Sequence, residues 1–374
     1  MTDSEQRPIR EERRSPRDEV EEVAPGVLRV QLPISLPGLG HVNCYVLEDS
    51  KGLALVDPGL PGRATWRSLK SRLASASLPI DRVHTVIITH SHPDHFGQAL
   101  RFQKRNGAEV ITHESFRTFL DPTAEEDDFD TETVFESSPA ETETNQAAAI
   151  SGFDHASVQR KGPFAKVTPW GGKPYDLPIS RKLRYWTARQ LAGHFTLTPQ
   201  PTIRVEEAEV LQLGRSEWVS VHTPGHTRDH LCLWNPENGV MISGDHVLPT
   251  ITPHISGLGE TADPLRDFFD SLDRMAGFQG VKTVLPAHGM EFTDLAARAE
   301  DIKAHHIERL DTIKEAGGRT GPATVQDYMR TLFKERSWGP MAESETYAHL
   351  EHLRILGEAK VRVSHHQLHY EIVD

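Results

Sequence analysis

A chain of 374 residues is long enough for two or three compact units, and 37% hydrophobic with 25% charged residues is the balance of an ordinary soluble globular protein. A net charge of −13 argues against general affinity for nucleic acid or for anionic membranes. Two cysteines, Cys44 and Cys232, each inside a strand-like run, make no disulfide framework and fit a reducing cytoplasm, the expected location.

Residues 1–22 mix five arginines with eight acids and hold no apolar run. They are expected to be neither signal peptide nor anchor, but a disordered tail with no part in catalysis. Strand-like runs follow at 26–32, 43–48 and 53–57, the last ending at the turn Asp57-Pro58-Gly59. Trp66, Leu69 and Leu73 have helical spacing within 61–76. The β-branched run 83–89 reads as a strand buried on both faces, and a helix (97–105) and strand (108–112) come after it.

Residues 121–201 form a long irregular insert. Its first part, 121–149, holds ten acids and no Lys or Arg; its second, 160–189, holds eight basic residues against one acid, with aromatic rings interleaved. A segment this long is expected to be a lid or a disordered insert. Beyond it lie strands at 208–213, 218–223, 230–234, 239–243 and 282–286, with a helix at 264–276. Two strand-rich halves with attached helices predict an α+β layered architecture for residues 23–298. From 299 onward, three helical patterns and two alternating strands have winged-helix order.

The chemistry is concentrated in Thr89-His90-Ser91-His92-Pro93-Asp94-His95, four potential ligands within six residues at the end of a buried strand. A turn there can point His90 and His92 at one metal and Asp94 and His95 at a second. His226 in TPGHT, Asp245 in SGDH and His288 in PAHG repeat the design, each on a turn after a strand. His246 and His254 lie close enough in sequence to approach substrate. Arg181, Lys182 and Arg184 are candidates to receive an anionic one. His84, His113, His222 and His230 read as structural, and the pairs His305–His306 and His365–His366 as solvent-facing.

The order His90-x-His92-x-Asp94-His95, His226, Asp245, His288 resembles the metallo-β-lactamase superfamily over about residues 24–298. The resemblance implies an αββα sandwich with the site at the sheet edges. It implies His90, His92 and His226 on a first metal, Asp94, His95 and His288 on a second, and Asp245 bridging them. Asp57 matches a structural aspartate that supports the ligand loop. Two divalent ions are expected, zinc foremost, with iron or manganese also suited to imidazole and carboxylate. Attack by a metal-bridging hydroxide follows from that pattern, with Asp94 as proton carrier.

Fold does not fix substrate. The ligand set is similar to that of glyoxalase II-like hydrolases, but the glutathione-binding region of that family is not recognisable. The expected substrate is therefore a thioester or related carboxylic ester of an anionic small molecule, acyl-CoA-like. The C-terminal unit resembles the winged-helix tail of β-lactamase-like proteins that include an endoribonuclease, which makes RNA cleavage the alternative, with lactonase activity beside it. Residues 299–374 hold ten Lys/Arg against thirteen Asp/Glu, the wrong balance for a nucleic-acid reader. No nucleic-acid or membrane partner is expected, and a homo-oligomer is compatible with the chain.

Overall fold

The computed structural model describes residues 10–34, 38–118, 168–171, 198–258 and 261–373. They divide into two compact units. The larger takes in residues up to 118, 192–253 and 266–305, and the smaller is built mainly from 254–265 and 306–374.

The larger unit holds two sheets. Strands β1 (Val20–Ala24), β2 (Val27–Pro33), β3 (His41–Glu48), β4 (Leu53–Val56), β5 (Val83–Ile87), β6 (Glu109–His113) and β7 (Ile203–Val205) form the first, in that order. Antiparallel pairing through β4 gives way to parallel pairing from β4 to β7. Strands β8 (Val210–Leu213), β9 (Ser216–His222), β10 (Leu231–Asn235), β11 (Val240–Gly244) and β12 (Thr283–Pro286) form the second, in the order β12-β11-β10-β9-β8.

Period-2 alternation explains why β4 reads as an unbroken apolar run. Leu53 and Leu55 enter one core with Leu69 and Leu73 of helix α1 (Arg63–Ser75) and Phe102 of helix α3 (Ala99–Asn106). Ala54 and Val56 point the other way, into a core shared with Trp218, Leu231, Leu233 and Ile242 of the second sheet. On the far side of that sheet, helix α4 (Pro264–Ala276) sends the Ser271 hydroxyl to the Pro224 carbonyl at 2.9 Å. The four-layer αββα order is the expected one.

Two readings need correction. Glu11–Arg13 make a 3-10 turn and Val20–Ala24 pair with β2, so residues 10–22 are not the disordered tail expected over 1–22, while 1–9 lie outside the described residues. The charges that suggested a solvated tail suit an edge strand, and buried Arg29 pairs with Glu21 of β1 and with Glu291. Of the insert, 168–171 and 198–201 are described, and the rest of the expected lid lies outside the described residues.

The smaller unit contains the greater part of helix α5 (Leu295–Thr320), then α6 (Val325–Leu332) and α7 (Pro340–Ile355). Strand β13 (Ala323–Thr324) and the hairpin of β14 (Ala359–Ser364) with β15 (Gln367–Ile372) complete it. Helix α6 starts on a reciprocal capping box between Thr324 and Asp327. His365 and His366 form the hairpin turn at φ 50° and 60°, as two-residue turns require. His306, by contrast, is fully buried rather than solvent-facing. Among the described residues no helix is long and apolar enough to cross a membrane.

Candidate metal centre

The candidate ligands follow strand ends, and hydrogen bonds behind them hold His90, His95, His288 and the Asp245 backbone in place. Asp57, at φ 54° just past β4, accepts from the Thr89 amide (2.9 Å), the Thr89 hydroxyl (2.7 Å) and His95 Nδ1 (2.8 Å). The Thr89 oxygen in turn accepts from His90 Nδ1 at 3.0 Å. Both imidazoles therefore present Nε2 to the interior, the arrangement that fixes tautomer and orientation at metal sites. Asp94 and His95 sit on the one-turn helix α2 (Pro93–Phe96), started by a proline at its first position.

The other three loops obey the same logic. Gly225 precedes His226 at φ 130°, and a Cβ there would lie 2.4 Å from the Phe268 Cα, so glycine alone lets the loop close on α4. The Asp245 amide donates to His230 Nε2 at 3.0 Å, while His230 Nδ1 donates to the Thr223 hydroxyl at 2.7 Å. His288 Nδ1 donates to the His41 carbonyl at 2.7 Å. Asn43 Nδ2 pins that loop through the carbonyls of Pro286 and Gly289.

These loops bring the seven side chains into two adjoining groups: His90, His92, His226 and Asp245, and Asp94, His95 and His288. His92 Nδ1 lies 3.0 Å from His90 Nε2 and 3.1 Å from His226 Nε2. A tetrahedral zinc ion with bonds of about 2.0–2.1 Å needs its ligands only a few tenths of an ångström further apart. Asp245 faces both groups. Its Oδ2 is 3.9 Å from His90, 3.6 Å from His226 and 3.6 Å from His95, and its Oδ1 is 3.2 Å from His288. Asp94 Oδ2 stands 3.5 Å from His95 and 3.6 Å from His288.

The donor set fits divalent ions. His95 Nε2, His288 Nε2 and Asp245 Oδ1 are buried without a hydrogen bond of acceptable geometry, a costly arrangement for polar atoms unless an ion is their partner. Burial, with neighbouring imidazoles adding to it, pushes His90 well below its ordinary pKa and His92 down to about 3, so both are neutral donors near pH 7. Burial alone would raise Asp94, but His95 and His288 outweigh it and hold the carboxyl at about 2. Asp245 is held well below the carboxylate range against its burial by His288 and His95. No thiolate takes part: Cys44 and Cys232 are buried elsewhere, and burial pushes the Cys232 thiol up to about 12.

The substrate candidates fare differently. His246 is fully buried, its ring edge-on to Phe268 at 5.0 Å, and has no surface to offer a substrate. His254 belongs to the smaller unit, with Nδ1 3.4 Å from Glu345 Oε2. Arg181, Lys182 and Arg184 lie outside the described residues. Sequence reasoning missed Thr89, His41, Asn43 and the role of His230 beside Asp245. Their signal was adjacency to a ligand strand, which spacing alone does not rank. A third group, His306, Glu345 and His349, gathers in the smaller unit. There Arg309 already pairs with Glu345, and His306 Nδ1 meets His349 Nε2 at 3.1 Å.

Comparison with known proteins agrees with this geometry. A probable metallo-hydrolase of Bacillus subtilis (strain 168) is 26% identical over 332 residues, 87% of this chain and 90% of that one. An atrochrysone carboxyl ACP thioesterase of Aspergillus aculeatus is 34% identical over 115 residues, 31% of this chain and 34% of its own length. A crystal structure of a metallo-beta-lactamase family protein from Thermus thermophilus superposes with a TM-score of 0.67 at 26% identity, covering 94% of this chain and 100% of that one. A beta-lactamase domain protein from Burkholderia ambifaria gives the same score at 23% identity over 94% of both chains, a likeness of fold. The family model of the metallo-beta-lactamase superfamily matches residues 37–288, a span that contains every one of the seven converging side chains. The chain belongs to the metallo-beta-lactamase superfamily.

Proposed function

We propose that this protein is a binuclear metal-dependent hydrolase of thioesters or related carboxylic esters, with zinc as the favoured metal. The observation that carries the reading is Asp245, whose two carboxylate oxygens face the two ligand groups from between them. When bound, two divalent ions supply Lewis acidity toward the substrate oxygen and a water made acidic near neutral pH. The chain's own residues do the rest. Asp94 is ionised at neutral pH, so it takes a proton first and then passes it to the leaving group. Asp57 and Thr89 hold His90 and His95 in the donating tautomer throughout.

Fungal relatives named atrochrysone carboxyl ACP thioesterases support a thioester, though each match covers only about a third to two-fifths of this chain. A phosphate-bearing, acyl-CoA-like substrate is favoured by the basic and aromatic composition of 160–189. We infer that the C-terminal helices and hairpin form a winged-helix-like unit that packs rather than reads nucleic acid. Helix α7 buries Tyr347, Ala348, His349, Leu350, His352 and Leu353, leaving little of it to enter a groove.

The test is elemental analysis of the purified protein combined with a panel of thioester, lactone, β-lactam and RNA substrates. Two ions per chain with thioester turnover is the expected result. Turnover of RNA alone, or one ion at full activity, would overturn it.

A further inference from the structure

The ordered N-terminal residues Arg10–Arg14 make contacts that no part of the catalytic reading uses. Glu12 is a fully buried acid. Its Oε1 accepts the amides of Thr250 (2.8 Å) and Ile251 (3.1 Å), and its Oε2 accepts the Thr250 hydroxyl. These residues lie in the loop that follows Asp245. From the other side Arg298 donates to the carbonyls of Leu248 (2.7 Å) and Ile251 (2.8 Å). One carboxylate takes the donors of this loop and one guanidinium takes its acceptors.

The same strap reaches the His288 loop. Glu11 Oε2 accepts the Met290 amide at 3.2 Å. The Arg14 carbonyl accepts from His41 Nδ1 at 2.9 Å, His41 Nε2 accepts the Gly289 amide at 3.2 Å, and the His41 carbonyl accepts from His288 Nδ1. Strap and loops leave no slack. A Cβ on Gly289 would lie 2.7 Å from Pro249 Cγ and 3.4 Å from Glu12 Cγ, and one on Gly40 would lie 2.1 Å from the Arg14 carbonyl oxygen.

We propose that Glu12 is a positioning residue of the metal centre, locking the Asp245 loop against the His288 loop so that both present their ligands at a fixed spacing. The inference rests on the binuclear reading, since it is the second ion that needs Asp245 and His288 together. Its physical basis is that a buried carboxylate accepting several hydrogen bonds from one loop fixes that loop's backbone more tightly than packing does. Groups that hydrogen-bond directly to metal ligands change metal affinity by about 10–100-fold when removed, and Glu12 acts on the ligand loops one step further out.

The experiment compares Glu12→Ala, Glu12→Asp and Glu12→Gln in the full chain, well below each melting temperature. Stepwise zinc affinity is read by chelator competition, and ligand geometry by the visible spectrum of the cobalt(II) form. Glu12→Ala and Glu12→Asp, which cannot reach the Thr250 and Ile251 amides, should weaken the second ion by about 10–100-fold and shift the cobalt spectrum. Glu12→Gln keeps the reach and an accepting oxygen, and should stay well inside the loss shown by the other two variants. Equal affinities across the series, with only the melting temperature lowered, would overturn the proposal, as would Glu12→Gln failing as badly as Glu12→Ala. If Glu12→Ala does not fold, the contrast between Glu12→Asp and Glu12→Gln decides. A wild-type chain that holds a single ion would sink the binuclear reading instead, and the clamp would then stand or fall on whether that ion's affinity follows Glu12 in the same order.

Discussion

At the scale of single residues, Asp245 and Asp94 separate two roles that similar carboxylates can play. Asp245 turns Oδ2 toward His226 of one ligand group and Oδ1 toward His288 of the other, so Asp245→Ala should lower the metal content from two ions toward one and leave little hydrolysis. Elemental analysis that still finds two ions in this variant would refute the bridging role. Asp94 belongs to the group of His95 and His288, 3.5 Å and 3.6 Å from them. Asp94→Asn should therefore keep the fold and part of the metal while turnover falls by about 10²–10⁴-fold, the usual size of general acid–base assistance. Circular dichroism beside steady-state kinetics checks it, and a near-wild-type rate would end the assignment of Asp94 as proton carrier.

At the scale of elements, the two sheets meet at a pair of stacked imidazoles. His113 at the end of β6 and His222 at the end of β9 lie 3.8 Å apart at 10°. Burial, with His222 and Arg228 adding to it, lowers His113 to about 4. The sign follows from linkage: the folded state binds that proton less readily than the unfolded chain, whose histidine titrates near 6.5. The contribution of His113 is thus complete above about pH 6.5 and is lost as pH falls toward 4. Denaturant titrations should show wild type losing up to about 2–3 kcal/mol more than His113→Phe across that window, since phenylalanine keeps the ring and has no proton to gain. Parallel pH curves for the two proteins would show that the stack does not titrate in this way.

At the scale of the whole molecule, four loops distant in sequence converge on one buried cluster, so metal binding should be linked to folding. A chelator should lower the melting temperature and abolish hydrolysis, and added zinc should restore both. The expected stabilisation is about 2.7 kcal/mol when free metal stands at 100 times its dissociation constant. A melting curve indifferent to chelation would mean that the ligand loops are held by their hydrogen bonds alone. Those bonds are numerous enough to make this a fair contest: Asp57, His230, His41 and Asn43 each support a ligand loop without metal.

What the amino-acid sequence by itself determined was the local part of the design. Short β-branched and apolar runs marked β2 to β6 and β8 to β12, and β4 is apolar at every position because it is buried on both faces. The ligand types were legible because His90, His92, Asp94 and His95 crowd one turn, and because Gly225, Gly244 and Gly289 flank the remaining three ligands where left-handed backbone is needed. Only the tertiary structure decided the partners. That His230 holds the Asp245 amide across 15 residues, and His41 the His288 ring across 247, depends on strand pairing that no spacing encodes. Tertiary structure also overruled composition at both ends of the site. His246, beside a ligand in sequence, turns into the core against Phe268, and Glu12, in a stretch charged enough to read as tail, becomes a buried carboxylate because Thr250 and Ile251 supply the donors that let it leave water.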